Sequence, residues 1–386
     1  MNTKCNKPIL LGNHDEESIQ VYLGSIDRGI KLFEQLDKLP EIRVTRDPIL
    51  QYNQSNPAWH LQKIKLFNQQ QSAEDDLTIY SPEKSQSIDM DLIGNYALVQ
   101  NTWMGHYGHN AHDNLGRFEF FRQLFNSNIK FILTEYEPGL HQTTLQQLCC
   151  LNEFYRENII FLPPKKTLKI NGLLFQAERE PVRWFEESKM YSKYLRIGLS
   201  EQIKKHVKNN REHIIFCPRA GETALHGRLN TEESIKQIKQ LIESIIIEHN
   251  QPIDFSVFTN KNSKGNPMTV REQKDLFKTA TIILGIHGTA LTNMMWSDRL
   301  ADYKSPPLQI IEIVGNTITK NKSYPQIEGW QHGNDCGYWH QFGNHFNINW
   351  QHIFFDKKPE RQDIRFIDID MNLLKKAIKN ALKQKT

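Results

Sequence analysis

Thr281-Ile282-Ile283-Leu284-Gly285-Ile286-His287-Gly288-Thr289-Ala290-Leu291-Thr292-Asn293-Met294-Met295-Trp296, followed after a polar connection by Leu308-Gln309-Ile310-Ile311-Glu312-Ile313-Val314, decides the fold. Residues 281–286 are apolar or β-branched almost without interruption, the pattern of a strand covered on both faces. His287-Gly288-Thr289 break the run, residues 290–296 read as a helix, and residues 308–314 read as the next buried strand. A helix that opens straight after a glycine turn at the carboxyl end of a parallel strand aims backbone N–H groups at whatever lies there. Such an arrangement suits a phosphate. The stretch therefore predicts a parallel α/β sheet with a nucleotide-type ligand at this turn.

The neighbouring sequence extends the pattern. Residues 213–217 and 255–259 read as strands, and residues 231–248 and 270–280 as helices. Thr269 and Glu272 have the spacing of a capping box, which sets the start of the second helix. Four strands alternating with three helices predict a parallel sheet in this half. Upstream, strands at 95–100, 130–134 and 159–162 alternate with helices at 112–125 and 142–151, which predicts a first α/β half. Residues 54–87 are polar and read as mostly loop with short elements, and a helix is expected around 191–207. Lys208-Asn209-Asn210-Arg211 is the linker candidate. A terminal helix at 372–383 carries Leu373, Leu374, Ile378 and Leu382 on one face, which should pack on the body. The domain boundaries read from this pattern are 1–207, 208–355 and a C-terminal strand/helix extension at 356–386.

The 386 residues include 48 basic and 44 acidic side chains, a net charge of +4 that is too even to imply nucleic acid yet compatible with local anion sites. Hydrophobic residues at 38% and charged residues at 24% describe a soluble globular chain of about two domains. Residues 1–20 carry Lys4, Lys7, Asp15, Glu16 and Glu17 around the short run Ile9-Leu10-Leu11, so no signal peptide or membrane anchor is expected and the expected location is the cytoplasm. Cys5, Cys149, Cys150, Cys217 and Cys336 are odd in number and lack paired metal spacings, which predicts free, reduced thiols.

Three clusters can carry chemistry. In the first, His106, His109 and His112 are spaced by three, followed by Asp113 and Arg117. On an α-helix His106 and His112 would lie about 240° apart, which argues against one metal site. His109, Asp113 and Arg117 are each four apart and share a face, so Asp113 can act as a base with its charge held by Arg117. A helix cap with solvated charges fits the same residues. The second cluster is the loop from Arg219 to Asn230, where Arg219 and Arg228 suit bidentate contact with a diphosphate; a solvated surface loop is the other reading. The third is His287-Gly288-Thr289 with Asn293, in which Gly288 lets a ligand approach the backbone and Thr289 can donate a hydroxyl or cap the helix. Glu312 on the following strand is either an edge carboxylate or an acceptor for ribose hydroxyls. The pairs Asp89/Asp91 and Asp368/Asp370 have the D-x-D pattern of metal–sugar-nucleotide sites, but Asp89 follows a polar stretch and the Asp368 pair sits near the C-terminus, and both read as solvated or capping carboxylates. No P-loop, G-x-G-x-x-G, G-x-S-x-G or zinc-finger spacing occurs.

In order and spacing the three clusters resemble glycosyltransferase family 61. The family's H-W-x-x-D-x-x-P-R-like segment corresponds to residues 109–117. A strand ending in Arg corresponds to Arg219, and an R-x-x-N-E-like segment to Arg228, Asn230 and Glu232. The G-P-H-G-A-x-L-T-N-like loop corresponds to residues 285–293, and a following strand with Glu to Glu312. Glu272, Gln273 and Phe277 fit as well, and the resemblance covers roughly residues 95–355. Asn110 stands in place of an aromatic, Gly116 and Ile286 in place of prolines and Thr289 in place of alanine. The step from Arg228 to Asn230 is one residue short.

The resemblance implies a GT-B-like enzyme of two Rossmann-like domains facing a cleft, with residues 1–207 on the acceptor side and 208–355 binding the nucleotide-sugar. It implies inverting transfer of a sugar, xylose or N-acetylglucosamine foremost, from a UDP-sugar to a hydroxyl of a glycan, lipid-linked or protein acceptor. Neither a metal nor a cofactor is implied. Asp113 would be the base, assisted by His109. Arg117, Arg219, Arg228, Asn230, His287, Gly288, Thr289, Asn293 and Glu312 would bind substrate, the arginines holding the diphosphate and Glu312 the ribose. A lipid-linked acceptor would bring peripheral membrane contact. Two rivals remain at this point: a metal-dependent hydrolase built on His106, His109, His112 and Asp113, and a non-catalytic nucleotide- or glycan-binding module. For the second, Trp330, Tyr338, Trp339, Phe342 and Trp350 could stack on sugars.

Overall fold

A computed structural model of the protein describes residues 9–11, 42–52, 77–80, 87–99, 107–134, 140–163, 165–177, 184–203, 211–219, 231–249, 251–315, 346–355 and 369–383. The fold is mixed α/β with two sheets, and it separates into two compact units. One unit is Leu36–Gly198 and the other combines Met1–Gln35 with Leu199–Thr386. Strand β1 (Ile9–Leu11) belongs to the second of these.

The unit Leu36–Gly198 holds β2 (Ile42–Arg46), β3 (Ile49–Tyr52), β4 (Leu77–Tyr80), β5 (Met90–Leu98), β6 (Lys130–Thr134), β7 (Ile159–Leu162) and β8 (Thr167–Ala177). They form one sheet of order β4-β3-β8-β5-β6-β7, with β2 paired to a further stretch of β8. The strands β8, β5, β6 and β7 are parallel, and β5, β6 and β7 are the strands of the expected first α/β half. β2, β3 and β4 pair antiparallel, and their strands lie in or beside the polar stretch read as loop.

Helix α1 (Leu115–Leu124) is entered through a helical turn at Tyr107–His109 and a π-helical turn at Asn110–Asn114, so the helical path begins earlier than residue 112. Its Phe118, Phe120 and Phe121 are buried, with Phe118 against Phe131 and Tyr155 and Phe120 against Tyr191. α2 (Leu140–Leu151) and α3 (Trp184–Ile203) complete this part of the chain. Gly116 explains its own presence: a Cβ there would stand 2.6 Å from the Tyr191 carbonyl oxygen on α3. Backbone cannot yield as a flexible side chain can. Gly116→Ala is expected to cost about 1–3 kcal/mol, read as a lower midpoint in thermal unfolding followed by circular dichroism.

The other unit carries β9 (Glu212–Cys217), α4 (Glu232–Glu248), β10 (Ile253–Val257), α5 (Val270–Phe277), β11 (Ile282–Ile286), β12 (Leu308–Gly315), β13 (Ile348–Phe355) and α6 (Met371–Lys383). Its sheet has the order β1-β13-β12-β11-β9-β10 and every pairing is parallel. β9, β11 and β12 are buried along the length described, as their unbroken apolar runs require. Ile238, Ile242 and Ile245 of α4 and Leu374, Ile378 and Leu382 of α6 pack into one core with Ile214, Leu284 and Ile311. The terminal helix thus docks through its apolar face, and its first turn is capped by Asp370, which accepts from the N–H of Asn372 at 2.8 Å. The capping box of α5 is formed in both directions between Thr269 and Glu272. No helix among the described residues is long and apolar enough to cross a membrane. Cys149, Cys150 and Cys217 are free thiols, while Cys5 and Cys336 lie outside the described residues.

Candidate active site

In the six-stranded sheet the chain leaves β9 to place β10 on one side and then returns to place β11 on the other. Such a reversal opens a crevice at the carboxyl ends of the two diverging strands, the place where open parallel sheets take their ligands. Arg219 follows β9 and His287 follows β11, so both stand at this crevice. The Arg219 guanidinium donates through Nη1 to the His287 carbonyl oxygen at 2.9 Å. Gly288 has no side chain in the way: a Cβ there would lie 2.9 Å from the same nitrogen. Two sequence clusters that are far apart along the chain meet here.

Behind the turn stands a buried carboxylate. Glu312 on β12 is the register partner of Gly285 on β11 and of His352 on β13. Its Oε1 is 2.7 Å from His287 Nδ1, and its Oε2 is 3.3 Å from His352 Nε2. Glu312 and His352 are fully buried, and His287 is nearly so. Burial pushes the Glu312 carboxyl upward, but the hydrogen bond of His287 and the charges of His287 and His352 outweigh it and hold it well below the ordinary value, at about 2. An ionised Glu312 accepts, so His287 donates through Nδ1. The Glu312 oxygens face imidazoles rather than an open site.

Residues 289–296 form a helix, but of the 3₁₀ type, with Leu291 N–H bonded to Gly288 O at 3.0 Å. Thr289 at its start is exposed. Asn293 is buried and serves as a brace: its Nδ2 donates to Gln273 Oε1 on α5 at 3.1 Å and to Ala290 O. Ser297 closes the far end by donating to Ala280 O at 2.8 Å. The residues that follow the turn are thus tied to α5 and to Ala280.

Residues 107–302, half of the chain, match the family model described as Glycosyltransferase 61. The chain belongs to glycosyltransferase family 61. No curated protein matches it. As a family 61 glycosyltransferase the protein is an enzyme that moves a sugar from a donor to a glycan acceptor.

The matched span begins at the helix that carries the first cluster. In this glycosyltransferase Arg117 is buried on α1, with Cζ 5.3 Å from the centre of the Tyr191 ring. His109 ends a helical turn and His112 and Asp113 sit within the π turn; their side chains, with Arg228, Asn230 and His106, lie outside the described residues. Asn110, which stands where the family pattern has an aromatic, is buried and donates to Gln147 at 2.6 Å. Gln147 in turn donates to Tyr107 O, which ties the turn to α2.

Both D-x-D pairs have ordinary work where they are described. Asp89 accepts from Lys166 Nζ and from Thr167 N–H at 2.8 Å each, and the Lys166 bond leads in holding its carboxyl below the usual range. Asp91 bonds Asn171, and Asp370 caps α6, while Asp368 lies outside the described residues. Trp350 is buried in β13; Trp330, Tyr338, Trp339 and Phe342 lie outside the described residues. Sequence reading passed over His352 and Gln273's contact with Asn293. A second buried carboxylate, Glu119 on α1, also carried no sequence signal. It accepts from Arg122 at 2.7 Å and from Tyr155 Oη at 2.8 Å, and it locks α1 onto the Glu153–Arg156 turn.

Proposed function

We propose that this family 61 enzyme is an inverting transferase that takes a sugar from a UDP-sugar, xylose or N-acetylglucosamine foremost, and delivers it to a hydroxyl of a glycan, lipid-linked or protein acceptor. The observation that carries this reading is the meeting of Arg219 with the His287–Gly288 turn at the switch point of the parallel sheet. A nucleoside diphosphate there would be met by the guanidinium and by the turn's backbone. Those groups supply positive charge and donors to a departing diphosphate, which is the need a metal would otherwise meet. Arg228 and Asn230 belong to the same reading through the family resemblance, as does a GT-B arrangement with the donor in the C-terminal half and the acceptor served by the N-terminal half. Glu312 acts in this scheme through His287 rather than on the ribose itself.

Calorimetric titration with UDP, with and without EDTA, tests the reading. Wild type should bind UDP with the same affinity in both buffers, and Arg219→Ala should weaken it by roughly 10- to 100-fold, the worth of one charge-assisted contact. Absence of binding by the wild type would remove the donor site as placed here. Gly288→Ala is a finer probe of the same geometry. Its methyl group would displace the guanidinium without removing it, so UDP affinity should fall by about tenfold while the unfolding midpoint moves little. Equal affinity in that variant would show that Arg219 does not work from the turn.

A further inference from the structure

We propose that the π turn at Asn110–Asn114 is a two-position joint at the entrance to α1: it opens in solution around Asn114, and the open winding is the one that serves the acceptor. The link to the acceptor rests on the function proposed above; the opening itself does not. Asn114 is fully buried, and among the described residues neither Oδ1 nor Nδ2 of its carboxamide has a hydrogen-bond partner. Asn110 on the same turn donates through Nδ2 to Gln147, but its Oδ1 is buried and unpaired among the described residues. On α2 the Thr144 hydroxyl, three residues before Gln147 and so on the same face, is also buried without a described partner. Buried polar groups are nearly always paired, because one left alone forfeits its hydrogen bonds to water. A leucine has the same branched shape and would occupy position 114 without that loss. The closed winding is therefore held against a cost that opening to water removes.

The winding itself says what such an opening moves. A π turn closes i→i+5 hydrogen bonds where an α turn closes i→i+4. Passing from one to the other shifts the chain on one side by one residue, about 1.5 Å along the axis and about 100° around it. The α1 side is the fixed one. Phe118, Phe120 and Phe121 are buried there, Gly116 lies against the Tyr191 backbone, and Glu119 accepts from Arg122 and Tyr155. The Tyr107–Asp113 side is tied to α2 through the Gln147 carboxamide, which meets Asn110 Nδ2 and Tyr107 O. The backbone that carries His109 and Asp113 is thus the part that turns.

Hydrogen–deuterium exchange of the ligand-free, full-length protein, read by mass spectrometry, tests the joint. In wild type the amides of residues 107–114 should exchange faster than those of residues 118–124 in α1. Asn114→Leu keeps the branched shape without polar atoms, and Asn114→Ala removes the carboxamide without adding bulk. Each relieves the closed winding and leaves the open one unchanged. Whichever folds should slow exchange over 107–114 by roughly tenfold and raise the thermal unfolding midpoint by about 2–6 °C. Transfer is read with UDP-xylose and UDP-N-acetylglucosamine as donors and the methyl β-glycosides of xylose, galactose, glucose and mannose as acceptor probes. Where only the open fraction is competent, kcat/KM for the acceptor falls by the same factor as that fraction, roughly tenfold, while UDP affinity stays within about twofold. Wild-type exchange as slow over 107–114 as in α1, or a lower midpoint in both variants, overturns the joint. Slower exchange with unchanged kcat/KM overturns its role in transfer. If wild type transfers to none of the probes, the function proposed above fails for these donors and acceptors, while exchange still decides whether the joint opens.

Discussion

Replacing Glu312 by alanine is expected to lower the thermal unfolding midpoint by on the order of 10 °C. Removing one partner of a buried ionic contact costs about 3–5 kcal/mol, because the remaining groups stay buried without their counter-charge. For a unit of this size each kcal/mol moves the midpoint by about 2–4 °C. Glu312 is fully buried and stands between His287 and His352, so the substitution strands two imidazoles at once. Glu312→Gln keeps the volume and one acceptor and should lose less than half as much. The acid response gives a second reading of the same group. Its carboxyl is lowered from 4.5 to about 2 on folding, so its contribution is fully present above pH 4.5 and disappears as the pH falls through that interval. The amount at stake is about 3 kcal/mol. Unfolding in denaturant at a series of pH values should show wild type losing stability across this window faster than Glu312→Gln. A midpoint within 2 °C of wild type in Glu312→Ala, at neutral pH, would mean that the carboxylate is not the hub described here.

How much of this site could be read from the chain depends on what kind of signal each residue leaves. β11 and β12 announce themselves because every position whose burial is described is buried and every residue is apolar or β-branched, apart from Gly285, Gly315 and the two polar residues Gln309 and Glu312. Arg219 and His287 were legible for the same reason, since each follows a strand whose end is plain. β13 was not. Its sequence Ile348-Asn349-Trp350-Gln351-His352-Ile353 places Gln351 and His352 at buried positions, which looks like a surface segment until their partners are known. Gln351 donates to Ala377 O on α6 at 2.9 Å, and His352 meets Glu312. Both are long-range contacts without a local pattern. β1 is a three-residue edge strand paired with β13, and nothing in so short a run tells which sheet it joins. The helix at 289–296 was expected from its apolar composition, but its 3₁₀ winding reflects how Asn293 and Ser297 are tied to α5 and Ala280 rather than any residue preference. In the other unit the polar residues that lead up to β4 concealed an antiparallel edge, in which β4 pairs with β3 and β3 with β8.

The largest expected effect on catalysis lies at Asp113. Transfer with inversion needs a group to take the proton of the attacking hydroxyl as the new bond forms, and such a base typically contributes 10²–10⁴-fold to the rate. Asp113 sits in the π turn that leads into α1, and π turns are rare, costly in geometry and concentrated at working sites. The turn is braced by Asn110 on Gln147 and by Gln147 on Tyr107 O. Arg117, one turn on, is buried with its guanidinium on the Tyr191 ring, which places a cation beside this segment that does not depend on the solvent. Asp113→Asn keeps size and hydrogen bonding but removes the basic oxygen. Its kcat should fall by about 10²–10⁴-fold, while UDP affinity stays within about twofold of wild type because the donor groups proposed above lie at the β9 and β11 ends. The same variant should keep its unfolding midpoint, which separates loss of a base from loss of the turn. Turnover equal to wild type, measured with the donor that binds best, would remove Asp113 as the base.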